Sequence, residues 1–390
     1  MDVVIIGAGI VGSGVAYYLA REGLSAVVIE ERFPCAGATG ACNGGLSYIG
    51  KAADLIEQSR ASLEMYRDLE RDLGCDVELD QGRGLIYVAE DEAGLDSLER
   101  VAGDCAEHGL HAVMLDRKGV AAREPLIDHS RCAGGLTGYS GLEGLVNPFL
   151  VTHGFLTAAR RLGARLITGL RADSLLLAGK RVEGLSAGGV EIRAGNVVDC
   201  AGIHAGRVAA PRVSFPITPR RGVVIVTEPS PTSASSNILS AGYLSAEKAP
   251  ASPGVLIGLA IEQAAPGNFI IGSSREFAGE NRGCPPHIME AVARNAVRYV
   301  PYLRHLSAIR VFAGLRPYTP DGMPVIGPVE GMEGYFVASG LEGSGITMGP
   351  WVSRRISDMV LGKDPADVRR FSPSRFRGLS SPVTAAGGVP

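Results

Sequence analysis

A chain of 390 residues with 46% hydrophobic and 20% charged side chains has the make-up of a well-buried globule with room for two domains. Its formal net charge of −3 gives no electrostatic reason to bind nucleic acid, and no apolar run approaches the roughly 18 residues of a membrane span. The seven cysteines are scattered with no CxxC pair and the seven histidines show no ligand spacing, so neither a disulfide framework nor a metal site is expected.

The chain opens with an apolar run, Val3 to Ile6, followed by Gly7, Gly9 and Gly12, a helix-like stretch to Glu22, and a second apolar run, Ala26 to Ile29, closed by Glu30. This is a complete βαβ dinucleotide fingerprint. Gly7 permits a sharp turn, Gly9 leaves bare backbone for a pyrophosphate, and Gly12 lets the helix lie close on the strand. The helix start, with Ile10 and Val11, offers unpaired N–H groups and a positive end to phosphates. Glu30 can accept hydrogen bonds from ribose hydroxyls and would repel a 2′-phosphate, with Glu31 and Arg32 beside it as further cofactor candidates. The spacing alone leaves FAD and NAD open. With a fingerprint beginning at residue 2, no signal peptide is expected and a cytoplasmic location is.

The next stretch, RFPCAGATGACNGGLSYIG over 32–50, is too rich in glycine and small residues for a helix. Its bare backbone can approach a pyrophosphate and a flat ring, which makes Ala38, Thr39, Ala41, Cys42, Asn43, Gly44 and Gly45 candidates. A helix over 52–73 carries Leu55, Ile56, Leu63, Tyr66 and Leu69 at core spacing. Short strands over 77–79 and 84–89 and a helix over 92–108 begin an excursion into a second domain. Asn147-Pro148 opens a helix to Leu162, and four short strands follow over 165–168, 172–177, 181–186 and 190–193. In NVVDCAGIHAG, 196–206, a strand runs into a glycine turn and returns to the nucleotide domain, with Ala201 and Gly202 near the cofactor.

Residues 216–221 read as a stiff crossing into strands over 222–227, 238–245, 254–262 and 269–274, which fit a mostly antiparallel sheet. A helix over 287–300 follows. Segments 314–317 and 319–327 lead back to a strand over 335–338, the run SGLEGSGITMGP and a helix to Leu361. The expected fold is α/β: a Rossmann-type dinucleotide domain of 1–75, 141–215 and 312–375, and an antiparallel-sheet α+β substrate domain of 76–140 and 216–311. Residues 376–390 are assigned to a disordered tail.

Four stretches carry a resemblance: the fingerprint, Ser245 to Gly279 (SAEK…GNFIIGSSREFAG), Ala313 to Pro328 (AGLRPYTPDGMPVIGP) and Phe336 to Pro350 (FVASGLEGSGITMGP). From Asp2 to about Gly362 the chain resembles the FAD-dependent amine oxidoreductases of the D-amino acid oxidase, glycine oxidase and sarcosine oxidase type. Within them it looks most like the β subunits of sarcosine, opine and hydroxyproline dehydrogenases. The resemblance chooses FAD and a D-amino acid oxidase-like fold. It implies oxidation of a secondary or D-amino acid by hydride transfer from the α-carbon to flavin N5, giving an imine.

The resemblance also assigns roles. Arg316 in GLRP stands where the family clamps the substrate carboxylate. Gly343, Ser344, Gly345 and Ile346 begin the last helix, where amides can bond flavin O2, with Gly314, Gly340 and Glu342 as neighbouring cofactor contacts. Tyr243, Lys248 and Arg275 lie on the sheet expected to roof the substrate, and His204 stands where relatives often carry an aromatic. Leu341 replaces a common His. Leu315 and Arg316 fill the usual site of a flavin-linking Cys and no His precedes His108, so FAD is expected to be noncovalent, with Cys42 a packing residue. An amino or imino acid is the expected partner, and iron–sulfur and second flavin or nucleotide subunits are the partners such β subunits have. The rival readings are a non-catalytic or electron-relay flavin subunit and an NAD-linked reductase.

Overall fold

The computed structural model describes residues 1–138, 141–248 and 254–377. β1 (Val3–Ile6), α1 (Ile10–Arg21) and β2 (Ala26–Glu30) form the parallel βαβ unit that the glycine spacing predicts. A Cβ on Gly12 would stand 2.0 Å from the Gly7 carbonyl oxygen, and one on Gly7, whose φ is +96°, would stand 2.7 Å from that of Cys200. Only glycine fits the turn at these two positions.

A 3₁₀ turn over Ala38–Ala41 and β3 (Gly45–Leu46) lead to α2 (Ala53–Leu73), whose expected stripe is buried. Then come β4 (Leu85–Ala89), α3 (Glu92–Glu107), β5 (Ala112–Asp116), α4 (Arg117–Arg123) and β6 (Gly134–Gly138). The chain continues through β7 (Gly144–Leu145), α5 (Pro148–Arg161), β8 (Arg165–Thr168), β9 (Ala172–Ala178), β10 (Arg181–Ala187), β11 (Val190–Arg193) and β12 (Asn196–Asp199). It ends with β13 (Thr218–Pro229), β14 (Asn237–Ser240), α6 (Ala241–Lys248), β15 (Leu256–Gln263), β16 (Asn268–Arg275), α7 (Pro286–Tyr299), β17 (Ala308–Tyr318), β18 (Val325–Pro328), β19 (Tyr335–Ser339) and α8 (Gly345–Val360).

Two large sheets organise these elements. The first has the order β18-β19-β12-β1-β2-β8 and is parallel except at β18. The second has the order β17-β13-β16-β15-β14-β4-β6-β5 and is antiparallel except between β14 and β4. Helix α1 packs against α5 and α8 beside the first sheet. On one face of the second sheet, Ile288, Val292 and Ala296 of α7 meet Val223, Ile225, Leu259, Ile261 and Ile271. The other face looks toward the nucleotide unit.

Several expectations change. No strand forms over 77–79, and the next residue, Asp80, makes an isolated bridge to Leu145; β5, β6 and β18 are strands that periodicity did not mark. The strand expected over 238–245 stops at Ser240, whose Oγ accepts from Tyr243 N at 3.1 Å and from Leu259 N at 3.3 Å, and α6 begins at once. The crossing over 216–221 is largely β13, where Pro219 faces Pro317 of β17, so two residues without N–H groups share one register position. Segment 314–317 belongs to β17, so the boundary at 312 falls inside a strand and Arg316 is delivered by the second sheet. Of the expected tail, Phe376 is 8% exposed and packed, and 378–390 lie outside the described residues.

Two glycines test these close approaches. Gly12→Ala should lower the unfolding free energy by about 1–3 kcal/mol through forced overpacking. Gly103→Ala in α3, where nothing lies within 4 Å of the new Cβ, should raise it by about 0.5–1 kcal/mol. Denaturant melts of both against the native chain check this, and equal shifts would refute it.

Candidate active site

One long cavity runs from the carboxyl ends of β1 and β2, past the start of α1, to the gap between the two large sheets. Glu30, Glu31 and Arg32 line one end; Gly7, Gly9, Ile10, Val11, Ala38, Thr39 and Ala41 line the middle. Cys42, Asn43, Gly44 and Gly45 lead to the far end, where Gly314, Arg316, Glu342, Gly343, Gly345 and Ile346 form the wall. Ala201, Gly202, His204 and Tyr243 also line it. Gly12, Gly340 and Ser344 stand behind the surface: Gly12 in the helix–strand contact, Gly340 against Thr319 and Val325, and Ser344 as the N-cap of α8.

At the nucleotide end the Glu30 carboxylate is fixed by two amides, Ala8 N to Oε2 and Arg32 N to Oε1, both at 2.9 Å. Thr39 Oγ1 accepts from Ile10 N at 3.2 Å, so a loop hydroxyl meets one amide at the start of α1. A Cβ on Gly9 would be 3.0 Å from that oxygen. An acid at the end of β2, a glycine cradle with no room for side chains and a helix start facing the cavity fit an adenine dinucleotide.

At the far end loop 41–45 presses on the second sheet. A Cβ on Gly314 would stand 2.5 Å from the Ala41 oxygen. Asn43 Nδ2 donates to Glu262 Oε2 at 2.6 Å. The start of α8 is tied to the same loop, since Thr347 Oγ1 accepts from Ser47 N at 3.3 Å and donates to Gly45 O at 3.4 Å. Cys42 donates to Thr39 O, and burial pushes its thiol up to about 12, which keeps it protonated and unreactive.

Arg316 is half-buried and reaches across Gly222, where a Cβ would stand 2.2 Å from Nη1, to donate to Ser274 O at 3.2 Å. Its guanidinium therefore occupies space that only a glycine leaves. Arg275 does not reach the cavity as expected: its guanidinium lies 4.4 Å from the Tyr243 ring centroid and 3.9 Å from Glu342, with the residue 1% exposed. The reason is Glu342, which lines the cavity but faces Arg220 at 3.4 Å and Arg275 from behind the wall. His204 lines the cavity, and burial, then the charge of Arg207, holds its imidazole below the usual range. Lys248 ends α6, and its side chain lies outside the described residues.

Glu262, Asn237, Ser273, Tyr87 and Gly222 line the cavity without having been singled out. Strand alternation could have found Glu262, which falls on the opposite face from Leu259 and Ile261. Burial pushes its carboxyl up to about 7, against the lowering effect of Asn43. Among the described residues no group of side chains could hold a metal ion, and no helix is long and apolar enough to cross a membrane.

Residues 2–359 match the family model described as FAD dependent oxidoreductase. The hydrogen cyanide synthase subunit HcnC of Pseudomonas aeruginosa is 27% identical, over 99% of this chain and 98% of its own. An opine oxidase subunit of Rhizobium meliloti is 27% identical, over 96% of this chain and 98% of its own. The crystal structure of L-proline dehydrogenase from P. horikoshii has the same fold, with a TM-score of 0.86 over 96% of this chain and 97% of that one at 22% identity. With the cradle intact and the match spanning both sheets, the chain belongs to the FAD dependent oxidoreductase family and is an enzyme that uses FAD.

Proposed function

We propose that this enzyme oxidises a small amino acid with a secondary or D-configured amine, of the proline-derivative, opine or sarcosine type, to an imine. The observation that carries the reading is Arg316, a guanidinium held over Gly222 in the cavity wall that the start of α8 also forms. Its planar fork suits a carboxylate. Relatives named as an opine oxidase subunit and an L-proline dehydrogenase support the substrate class.

FAD, when bound, supplies the hydride acceptor at N5 of its flat ring. In this reading Glu30 holds the ribose, the amides of Gly9 and Val11 and the Thr39 hydroxyl hold the pyrophosphate, and Gly44 and Gly45 leave room for the ring. The positive end of α8 favours the negative charge that gathers on reduction. Leu239, Val224 and Leu341 add apolar surface to the cavity that Arg316 lines, and apolar walls strengthen the attraction of a guanidinium for a carboxylate. Cys42 stays a packing thiol, so the cofactor is noncovalent.

A second reading, a flavin subunit that relays electrons within a hetero-oligomer containing iron–sulfur or second nucleotide subunits, is favoured by the two relatives named as subunits. Anaerobic bleaching of the isolated yellow chain by imino and D-amino acids decides for catalysis here; no bleaching by any decides for relay.

Arg316→Ala should raise KM about 10- to 150-fold, the worth of a charged hydrogen-bonded contact of roughly 1.5–3 kcal/mol, with FAD content unchanged. Arg316→Lys should recover part of the loss. An unaltered KM in R316A would show that the carboxylate binds elsewhere. Acid precipitation should release all the flavin and leave a colourless pellet; a yellow pellet that Cys42→Ser abolishes would reveal a thioether.

A further inference from the structure

On β15 Leu259 and Ile261 enter the apolar layer under α7, so Gly258, Ala260 and Glu262 face the other way, toward the cavity. Glu262 is 5% exposed. Its Oε2 accepts from Asn43, and its Oε1 lies 3.0 Å from where a Cβ on Gly45 would stand. Among the described residues no lysine, arginine or histidine lies within ion-pair distance of it. A buried carboxylate with one amide donor and no counter-charge is costly, so the group exchanges its proton near neutrality instead of staying ionised.

The charged and titratable groups around it are few. Cys42 stands on the cofactor loop, Tyr87 on β4, and Arg316 beyond β16; Arg83, paired with Asp80, donates to the Gln263 carbonyl at the end of β15. The register Ile238 with Ile261 and Leu239 with Ala260, continued by one residue, sets Asn237 opposite Glu262. Asn237 spends its Nδ2 on Gly144 O at 2.8 Å, and its Oδ1 is buried with no hydrogen-bond partner. Ser273 Oγ, also on the cavity wall, is buried without one. Acceptors therefore gather where a ligand bearing N–H groups would satisfy them.

Arg316 and Asn43 both meet β16. The Arg316 guanidinium bonds Ser274 O, and Asn43 Nδ2 lies 3.2 Å from where a Cβ on Gly272 would stand. The Cys42 thiol feels both Glu262 and Arg316, so the two groups flank one loop.

We propose that Glu262, oriented by Asn43, receives the proton that the substrate's ammonium loses before its α-hydrogen leaves as hydride. This rests on the amino acid reading above. The ammonium N–H bond breaks and an O–H bond forms on Oε1, with no change in oxidation. The freed nitrogen lone pair then makes the C=N bond as the α-carbon's C–H pair departs to FAD, so the amine is oxidised and FAD reduced by two electrons. Glu262 returns its proton to solvent between turnovers.

The test is anaerobic flavin reduction by stopped flow across pH, using whichever of sarcosine, L-proline, D-proline and D-alanine bleaches the native holoenzyme. The native rate should rise through a limb near neutrality, where Glu262 loses its proton. Glu262→Gln should erase that limb and slow reduction about 10²-fold at neutral pH, recovering toward about pH 10, where the amine deprotonates unaided. Asn43→Ala removes a donor that stabilises the carboxylate, so the limb should move to higher pH. Binding of a thioether carboxylate without an amine, read from flavin absorbance, should stay within about twofold in E262Q and weaken in R316A. An unchanged rate profile in E262Q overturns the role of Glu262, whereas unchanged analogue binding in R316A overturns the amino acid reading. A substrate-free check is the infrared carbonyl band of a protonated buried carboxyl, titrating near neutrality in the native protein and missing from E262Q; its absence from the native protein also overturns the proposal.

Discussion

The site depends on how closely loop 41–45 approaches the second sheet. Gly44 sits under the Val146 carbonyl, where a Cβ would be 2.2 Å away, Gly45 lies against Glu262, and Gly314 of β17 lies against Ala41. Each contact removes side-chain volume from one partner so that backbone can meet backbone or carboxylate. A side chain at Gly45 or Gly314 would push the loop off the second sheet and widen the cavity, and one at Gly44 would push it off the segment that leads into α5. The first sheet shapes the nucleotide end of the cavity, and this contact shapes its far end.

Charge is arranged by the same economy. Arg220 and Arg275 are both 1% exposed, and Glu342, at a left-handed φ of +44°, turns its carboxylate toward them. Aromatic rings share the load, Phe277 and Tyr318 beside Arg220 and Tyr243 beside Arg275. Arg316 differs from these two because Gly222 opens a path for its side chain along the sheet surface into the cavity. Three arginines on neighbouring strands thus have different work, decided by one glycine and one glutamate.

The nucleotide half was legible because its signals are local: glycine spacing, an apolar strand on each side and an acid at the end of β2. Helices α2, α5 and α7 were legible from periodicity and the Asn-Pro start. What escaped depends on distant partners. β5 and β6 are strands only because β4 gives them an edge, and β17 continues through Pro317 only because Pro219 stands opposite. Ser240 ends its strand through bonds to Tyr243 and Leu259 that no window of sequence displays. Arg275 and Glu342 were marked as site residues by motif, yet their pairing with each other and with Arg220 is a property of the folded wall.

Glu262 shows why alternation matters more than motif at such a site. Its neighbours along β15, LIGLAIEQ, are apolar on both faces, and a lone acid near a strand end would ordinarily be solvated. It is buried because loop 41–45 covers it, and Asn43, the residue that satisfies it, belongs to that loop, which in the proposed reading seats the flavin ring. Loop and buried acid are therefore one mechanical unit: a displacement of loop 41–45 strips the carboxyl of its donor and raises its proton affinity. The geometry of the cradle and the proton balance of the cavity cannot be altered separately.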